Sequence, residues 1–416
     1  MKTYKYTKQQ KLFKKATKVI PCGIYGHFSP APLVPATDYP FYTEKAKGAR
    51  FWDPDGNEYI DYMCAYGPMV HGYANSKIDK FAAKYIEKGN CTTGAPPIMV
   101  ELAEEIVGMT QGMEWAFFAK NGADTTNYAV MIARDATGRR KVITFDGCYH
   151  GTSAWMQGLG HHGVNVEDTD PILKAKWNDF ENFKKVVEDN KGEIAALIAS
   201  PYLVPTFRDN ELPAPGYWEQ VDALCKQEGI ILISDDIRHG FRIDLKGSHA
   251  KYGYNPDLVC FCKAIGNGYP ISACLGTEEM KQFAAQTFHT GSYWYQSEPM
   301  AGALATLKEH KRINTPKVCT EVGTKLTEGL VEIASNYGYE LKVSGDPSMP
   351  YLRTTNDPSL MLHQDWCAEA TKRGAFFTSH HNWFVSTAHT QKDIKQTLDI
   401  ADEAFKVVKK KYGDEF

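Results

Sequence analysis

The chain has 416 residues, 43% of them hydrophobic and 23% charged, with a formal net charge of −3. That length holds two or three domains and at least one sizeable core. The near balance of charge excludes an overall basic field directed at nucleic acid or an anionic membrane, and no apolar run approaches the ~20 residues that span a bilayer.

The first residues, MKTYKYTKQQKLFKKA, are polar and basic without an apolar stretch, which is not the pattern of a secretory signal. The ten cysteines form no repeating framework and no zinc-ligand spacing. They read as small core residues in a reducing compartment, so a cytoplasmic protein without a metal is expected. A Lys-rich amphipathic stretch at about residues 8–18 is followed by PCGIYGHFSPAPLVPATDYP, whose Pro and Gly demand loops. In ARFWDPDGNEYIDYM two strand-like runs flank Asp53-Pro54-Asp55-Gly56, a strong turn signal, and predict a hairpin.

From about residue 76 helix-like stretches alternate with short β-rich runs. These are EWAFFAK (114–120), KVITFDG (141–147), IAALIAS (194–200), IILISDD (230–236) and DLVCFCK (257–263). Each is short and apolar on both faces, which suits strands buried between helical layers. The alternation predicts an α/β domain with a mostly parallel sheet. After about residue 314 a long helix (316–336), YELKVSG, MPYLRTT, a further helix, GAFFTS and a terminal helix from about 391 describe a smaller α+β domain. The expected organisation is an N-terminal segment (1–70), a large α/β domain (71–314) and a small C-terminal domain (315–416).

In such a sheet ligands gather at the carboxyl ends of the strands, and four of those ends are unusual. EWAFFAK runs into Asn121-Gly122-Ala123-Asp124-Thr125-Thr126 at the start of a helical pattern. Free N–H groups there form a phosphate cup, or the segment is an ordinary cap by Asp124 or Thr125. KVITFDG leads into Cys148-Tyr149-His150-Gly151, where Tyr149 covers a flat ligand or simply packs at the sheet edge. IILISDD ends in Asp235 and Asp236 ahead of Arg238 and Arg242. A carboxylate there is either half of a buried ion pair or the partner of a cationic ligand atom. DLVCFCK ends in Lys263 before the Gly-rich turn AIGNGYP. Most lysines are surface charge, but a desolvated one has a lowered pKa and can form a Schiff base. A phosphate cup, a flat aromatic ring, an acid and an apolar-flanked lysine together fit one ligand, pyridoxal 5′-phosphate.

These motifs resemble the class-III aminotransferases of the fold-type-I pyridoxal-phosphate superfamily, and within that class glutamate-1-semialdehyde aminomutase. The matching pieces are GARFWDPDGNEYIDYM, YGPMVHGYA, NGADTTNYAVMIAR, FDGCYHG, SDDIRHGFR and KAIGNGYPISACLG, spread over nearly the whole chain. The resemblance implies that Lys263 bears the cofactor and moves the proton between Cα and C4′. It implies that Asp235 partners the pyridinium nitrogen, that Ile237 packs against the ring, that Tyr149 stacks on it, and that Asn121, Gly122 and Ala123 hold the phosphate. Ser292 in HTGSYWYQ is similar to a residue that reaches the phosphate of the neighbouring subunit, which implies a homodimer with shared sites.

The departures bear on the substrate. The phosphate motif reads Asn-Gly-Ala-Asp where the family has Ser-Gly-Thr-Glu. The aminomutase arginine for the substrate carboxylate is absent from GIYGHFSPAPL, and its C-terminal carboxylate is missing from SHHNWFVSTAHT. Arg238 stands where Gln or Met is common, facing either the cofactor's phenolic oxygen or Asp236. The lining Tyr25, His27, Tyr66, Trp294, His380 and His381, with Arg238, points to a neutral, bulky or hydroxylated amine, although each residue also suits a structural role. The expected activity is transfer of an amino group from an amine or amino acid to a carbonyl acceptor. An aminomutase or an amino-acid racemase is the alternative, and a scaffold that binds no cofactor is a third reading.

Overall fold

The structure is a computed structural model that describes residues 3–24, 39–158 and 161–413. The chain divides into two compact units. The described residues of Ser76–Pro205 and Asn210–Val318 form one, and those of Met1–Asn75, Thr206–Asp209 and Cys319–Phe416 form the other.

The larger unit is built on a seven-stranded sheet. Its spatial order is Trp115–Ala119, Ser272–Gly276, Leu258–Phe261, Ile231–Asp235, Ile194–Ala199, Lys141–Phe145 and Ile172–Ala175. The last five run parallel to one another, whereas Ser272–Gly276 is antiparallel to both strands beside it. All five β-rich runs of this region form strands. Ser272–Gly276 and Ile172–Ala175 are two further strands that the apolar pattern does not announce.

Burial on both faces explains the continuous apolar runs. Leu258 and Cys260 pack with Tyr128, Ile132 and Ile198 on one side, while Val259 and Phe261 pack with Ile106, Leu304 and Leu307 on the other. Each large apolar side chain so buried contributes about 1.5–3 kcal/mol. The helices that cover the sheet include Ile98–Met109, Gly122–Thr137 and Ser297–Ile313.

In the smaller unit the predicted hairpin forms from Arg50–Trp52 and Glu58–Asp61. Asp53 fixes its turn by accepting from the Asn57 backbone N–H (2.9 Å), the Asn57 amide (2.7 Å) and the Tyr59 hydroxyl (2.9 Å). Ala375–Phe376, from GAFFTS, adds to this sheet in parallel with Glu58–Asp61. Leu341–Ser344 and Tyr351–Thr354 pair antiparallel, and the long helix Gln391–Tyr412 packs on Met361–Thr371. Trp366, Phe377, Trp383 and Phe405 stack at the centre of this unit. Among the described residues no helix is long and apolar enough to cross a membrane.

Candidate active site

The carboxyl ends of the parallel strands in the larger unit bring the expected side chains together. Asp235 ends its strand directly beside Cys260 of the neighbouring strand, two positions short of Cys262 and three short of Lys263. The Asp235 carboxylate is 4% exposed. Its Oδ2 lies 2.6 Å from Nδ1 of the buried His150, and its Oδ1 accepts the Ile237 N–H at 3.2 Å. Burial pulls His150 toward the neutral form, but the hydrogen bonds and charges of Asp235 and Cys148 together outweigh it and lift the imidazole to about 9. His150 is therefore an imidazolium at neutral pH, facing the Asp235 side chain. The other ring nitrogen of His150, Nε2, is buried with no hydrogen-bond partner among the described residues.

Asp236 has a different environment. Its carboxylate accepts from the Ser248 N–H at 2.8 Å and from the Ser248 hydroxyl at 2.5 Å, and burial pushes its pKa up to about 7. Two adjacent acids of one strand are thereby separated into a paired carboxylate and a group that titrates near neutrality.

Lys263 opens the turn that follows Leu258–Phe261. It has φ +43°, left-handed backbone that a side-chain-bearing residue rarely adopts. The Gly266 N–H closes the turn on the Lys263 carbonyl at 3.1 Å. A Cβ on Gly266 would lie 2.4 Å from the Tyr269 carbonyl oxygen, so only glycine fits there. Desolvation, with a smaller push from the nearby Arg238 charge, lowers the Lys263 amine to about 7. A large fraction of this amine is unprotonated at neutral pH and able to act as a nucleophile.

The helix Gly122–Thr137 starts at the end of the first sheet strand. Asn121 is its N-cap residue, and the Asp124 carboxylate accepts the Asn121 N–H at 2.7 Å. Capping by Asp124 thus occurs, and it leaves other first-turn N–H groups without an intrahelical partner. The cup is lined by backbone: a Cβ on Gly122 would fall 2.6 Å from Ile237 Cδ1. Likewise a Cβ on Gly151, at φ +127°, would lie 2.9 Å from the Ala123 Cβ. The Thr126 hydroxyl donates to the His150 carbonyl at 2.9 Å. Asn121, Gly122, Ala123, Tyr149, Asp235 and Ile237 thus belong to one connected patch. The Tyr149 ring is 55% exposed, and the charges of Arg238 and Asp235 both act on its phenol. The Arg238 guanidinium donates through Nη1 to the Val204 carbonyl at 3.2 Å.

The remaining expected residues make contacts of their own. The Ser292 carbonyl accepts from the Cys91 thiol at 3.5 Å, and Trp294 stands edge-on to Phe117 and His289. Tyr66 belongs to the smaller unit, where its ring meets His381 edge-on at 5.3 Å, and His380 packs on Phe207 at 5.7 Å. Tyr25 and His27 lie outside the described residues. Sequence reasoning missed His150 and Ser248. Neither had a local signal: His150 lies in the loop after Lys141–Phe145, and Ile194–Ala199 stands between that strand and the strand of Asp235.

A model of the family "Aminotransferase class-III" matches residues 34–405. The chain is 38% identical over 403 residues to aminopentol aminotransferase of Sphingopyxis macrogoltabida, covering 97% of this chain and 94% of that protein. It is 31% identical to 3-aminobutyryl-CoA aminotransferase of Cloacimonas acidaminovorans, with 98% of each chain covered. The solved structure of the PLP internal aldimine form of the FumI protein from Sphingopyxis sp. MTA144 superposes with a TM-score of 0.94 at 37% identity, covering 98% of this chain and 97% of that one. With these relatives matched along almost its entire length, the chain belongs to the class-III aminotransferases and has their fold-type-I architecture.

Proposed function

We propose that the connected patch at the strand ends holds pyridoxal 5′-phosphate, with Lys263 as the amine that bears it, in an aminotransferase acting between an amine or amino-acid donor and a carbonyl acceptor. The observation that carries this reading is one juxtaposition. A desolvated lysine amine follows one strand, and a buried carboxylate–imidazolium pair ends the strand beside it.

The residues present fit the cofactor. The backbone-lined cup of Asn121, Gly122 and Ala123 suits a phosphate, which needs N–H donors at close approach. The half-exposed Tyr149 ring and the Ile237 side chain suit the two faces of a flat heterocycle. Bound pyridoxal phosphate supplies an electron sink and carries the amino group between the two half-reactions. Asp235, oriented by His150, would face the pyridine nitrogen and accept its N–H. Lys263 has the pKa of a group that takes and returns a proton near neutral pH. Arg238 brings positive charge to the side of the patch shared by Tyr149 and Asp235, where it would meet an anionic oxygen.

The donor class first in line is an amine bearing hydroxyl groups. The aminomutase arginine is absent from the early Gly-rich segment, and a relative 38% identical is named for an aminopentol. The assembly in this reading is a cytoplasmic homodimer. Phe288 (84% exposed) and Tyr293 (66%) flank Ser292 on a surface that a second copy would cover, and none of the ten cysteines forms a disulfide among the described residues.

The test is chemical mapping. Protein loaded with pyridoxal phosphate and reduced with borohydride should carry one stable pyridoxyl adduct, located on Lys263 by peptide mass spectrometry. An adduct on another lysine, or one that persists in Lys263→Ala, overturns the assignment. A donor panel of hydroxylated amines with and without a keto acid then separates transfer, which requires the acceptor, from mutase or racemase chemistry, which does not.

A further inference from the structure

Behind the candidate site a buried histidine touches both strand-end turns. His310 is on the helix Ser297–Ile313 and is 0% exposed. Its Nε2 lies 3.0 Å from the carbonyl oxygen of Ala264, the residue after Lys263, and its Nδ1 lies 2.9 Å from the hydroxyl of the fully buried Thr315. A carbonyl only accepts, so Nε2 carries the proton. In the neutral ring Nδ1 is then the acceptor and the Thr315 hydroxyl the donor. Thr315 thus selects the tautomer that His310 needs in order to hold Ala264.

The ring of His310 stacks on Phe241 at 5.5 Å and 11°. Phe241 lies in the turn that follows Asp235 and Asp236, and it packs on Phe261 of the lysine strand at 4.9 Å. The two turns share an unusual property. Lys263 has φ +43° and Phe241 has φ +62°, both in the left-handed region without being glycine. Such backbone persists only where surrounding contacts over-determine it. The Ala264 carbonyl is also a buried polar group that needs a partner, and His310 supplies it.

From this arrangement we infer that His310, locked by Thr315, is a positioning residue for Lys263. It holds the strained Lys263–Ala264 turn so that the amine stays inside the desolvated patch. The inference rests on Lys263 being the reactive amine of the proposed function. The charged and titratable groups that act on that amine are Arg238, His239, Arg242, Asp235 and Cys262, and none of them is His310 or Thr315. A change at either residue therefore reaches the amine through the backbone.

The experiment is trace acetylation of the full chain, stripped of cofactor, across pH, with the rate at Lys263 read by peptide mass spectrometry. In the wild-type protein the Lys263 profile should have a midpoint well below those of surface lysines. His310→Phe keeps the stacked ring but removes both hydrogen bonds. It should raise the midpoint by about one pH unit or more, a tenfold change in labelling at fixed low pH. His310→Gln retains an N–H donor for Ala264 and should restore most of the wild-type profile. Thr315→Val leaves the imidazole in place without its lock and should shift the midpoint upward by a smaller amount, which keeps the test in force if His310→Phe does not fold. Wild-type midpoints in His310→Phe, or in Thr315→Val where only that variant folds, overturn the inference. An ordinary lysine midpoint at Lys263 in the wild-type protein sinks the proposed function as well, so the two failures are distinguishable.

Discussion

His150, in the loop after the strand Lys141–Phe145, and Asp235, at the end of its own strand, meet across 2.6 Å, both buried. The imidazole is lifted to about 9 against an ordinary 6.5. A raised folded-state value means that the folded protein binds the proton more tightly than the unfolded chain. The stabilisation is complete below about 6.5 and is lost as pH rises through about 9. Wild-type thermal stability should therefore decline over that window by more than that of His150→Leu, compared by unfolding scans at fixed ionic strength. At pH 7 His150→Leu should also weaken pyridoxal-phosphate binding, because a buried carboxylate without its partner is costly. Breaking such a pair costs about 3–5 kcal/mol. Equal pH slopes in the two proteins would refute the coupling.

Gly122 permits contact between the phosphate cup and Ile237. A methyl group there would lie 2.6 Å from Ile237 Cδ1 and 3.2 Å from its Cγ2. Gly122→Ala should therefore push Ile237 off the place where it would meet a ring, with an overpacking cost of about 1–3 kcal/mol. The expected result is a loss of cofactor affinity of roughly tenfold or more, measured by equilibrium dialysis. Ile237→Val removes the nearest atom and should return part of that affinity in the double variant. A double variant no better than Gly122→Ala alone would show that the clash is not the cause.

The sheet and much of the site were legible because burial leaves a pattern. The five both-face apolar runs became strands because helices cover each side, and their polar ends converge because parallel strands point the same way. Ser272–Gly276 was illegible for a physical reason. Its sequence SACLG is small and weakly β-favouring, and it becomes a strand by pairing with Phe261 and Phe118 on either side. Asp235 and Asp236 could be marked as costly from sequence, but not which partner each would find. His150 and Ser248 arrive from other elements, and no local spacing encodes them. His310 had no signal either, since it acts through the Ala264 carbonyl, a group every residue possesses.

In the smaller unit Asp209 is held by Arg353, with Nε–Oδ1 at 2.7 Å and Nη2–Oδ2 at 3.0 Å, and by Lys342 at 2.7 Å. Burial alone would raise the Asp209 pKa, but these two cations lower it. A depressed carboxylate contributes stability that is present above its ordinary value of 3.8 and fades as pH falls through the folded-state value. Asp209→Asn should cost about 1 kcal/mol at pH 7, because the groups are partly exposed. The cost should shrink with added salt and vanish in strong acid. Denaturant unfolding at three pH values checks it, and a loss that does not depend on pH would point to packing instead.

Lys263 predicts a trade between stability and chemistry. Its amine titrates at about 7 in the folded protein against an ordinary 10.5, chiefly because burial penalises the charge. Between those two values the unfolded chain binds more protons than the folded one, so stability of the cofactor-free protein should rise with pH across that interval. Lys263→Met keeps an unbranched side chain, one atom shorter, and removes the titrating group. It should stabilise the cofactor-free protein at neutral pH by on the order of 1–2 kcal/mol and flatten its pH dependence, while abolishing the borohydride-stable adduct. Thermal scans from pH 6 to pH 10 on both proteins, after dialysis to remove cofactor, measure it. If Lys263→Met is instead less stable than wild type at every pH, the lysine is held by favourable contacts and not by enforced desolvation. The strained turn around it would then need another explanation.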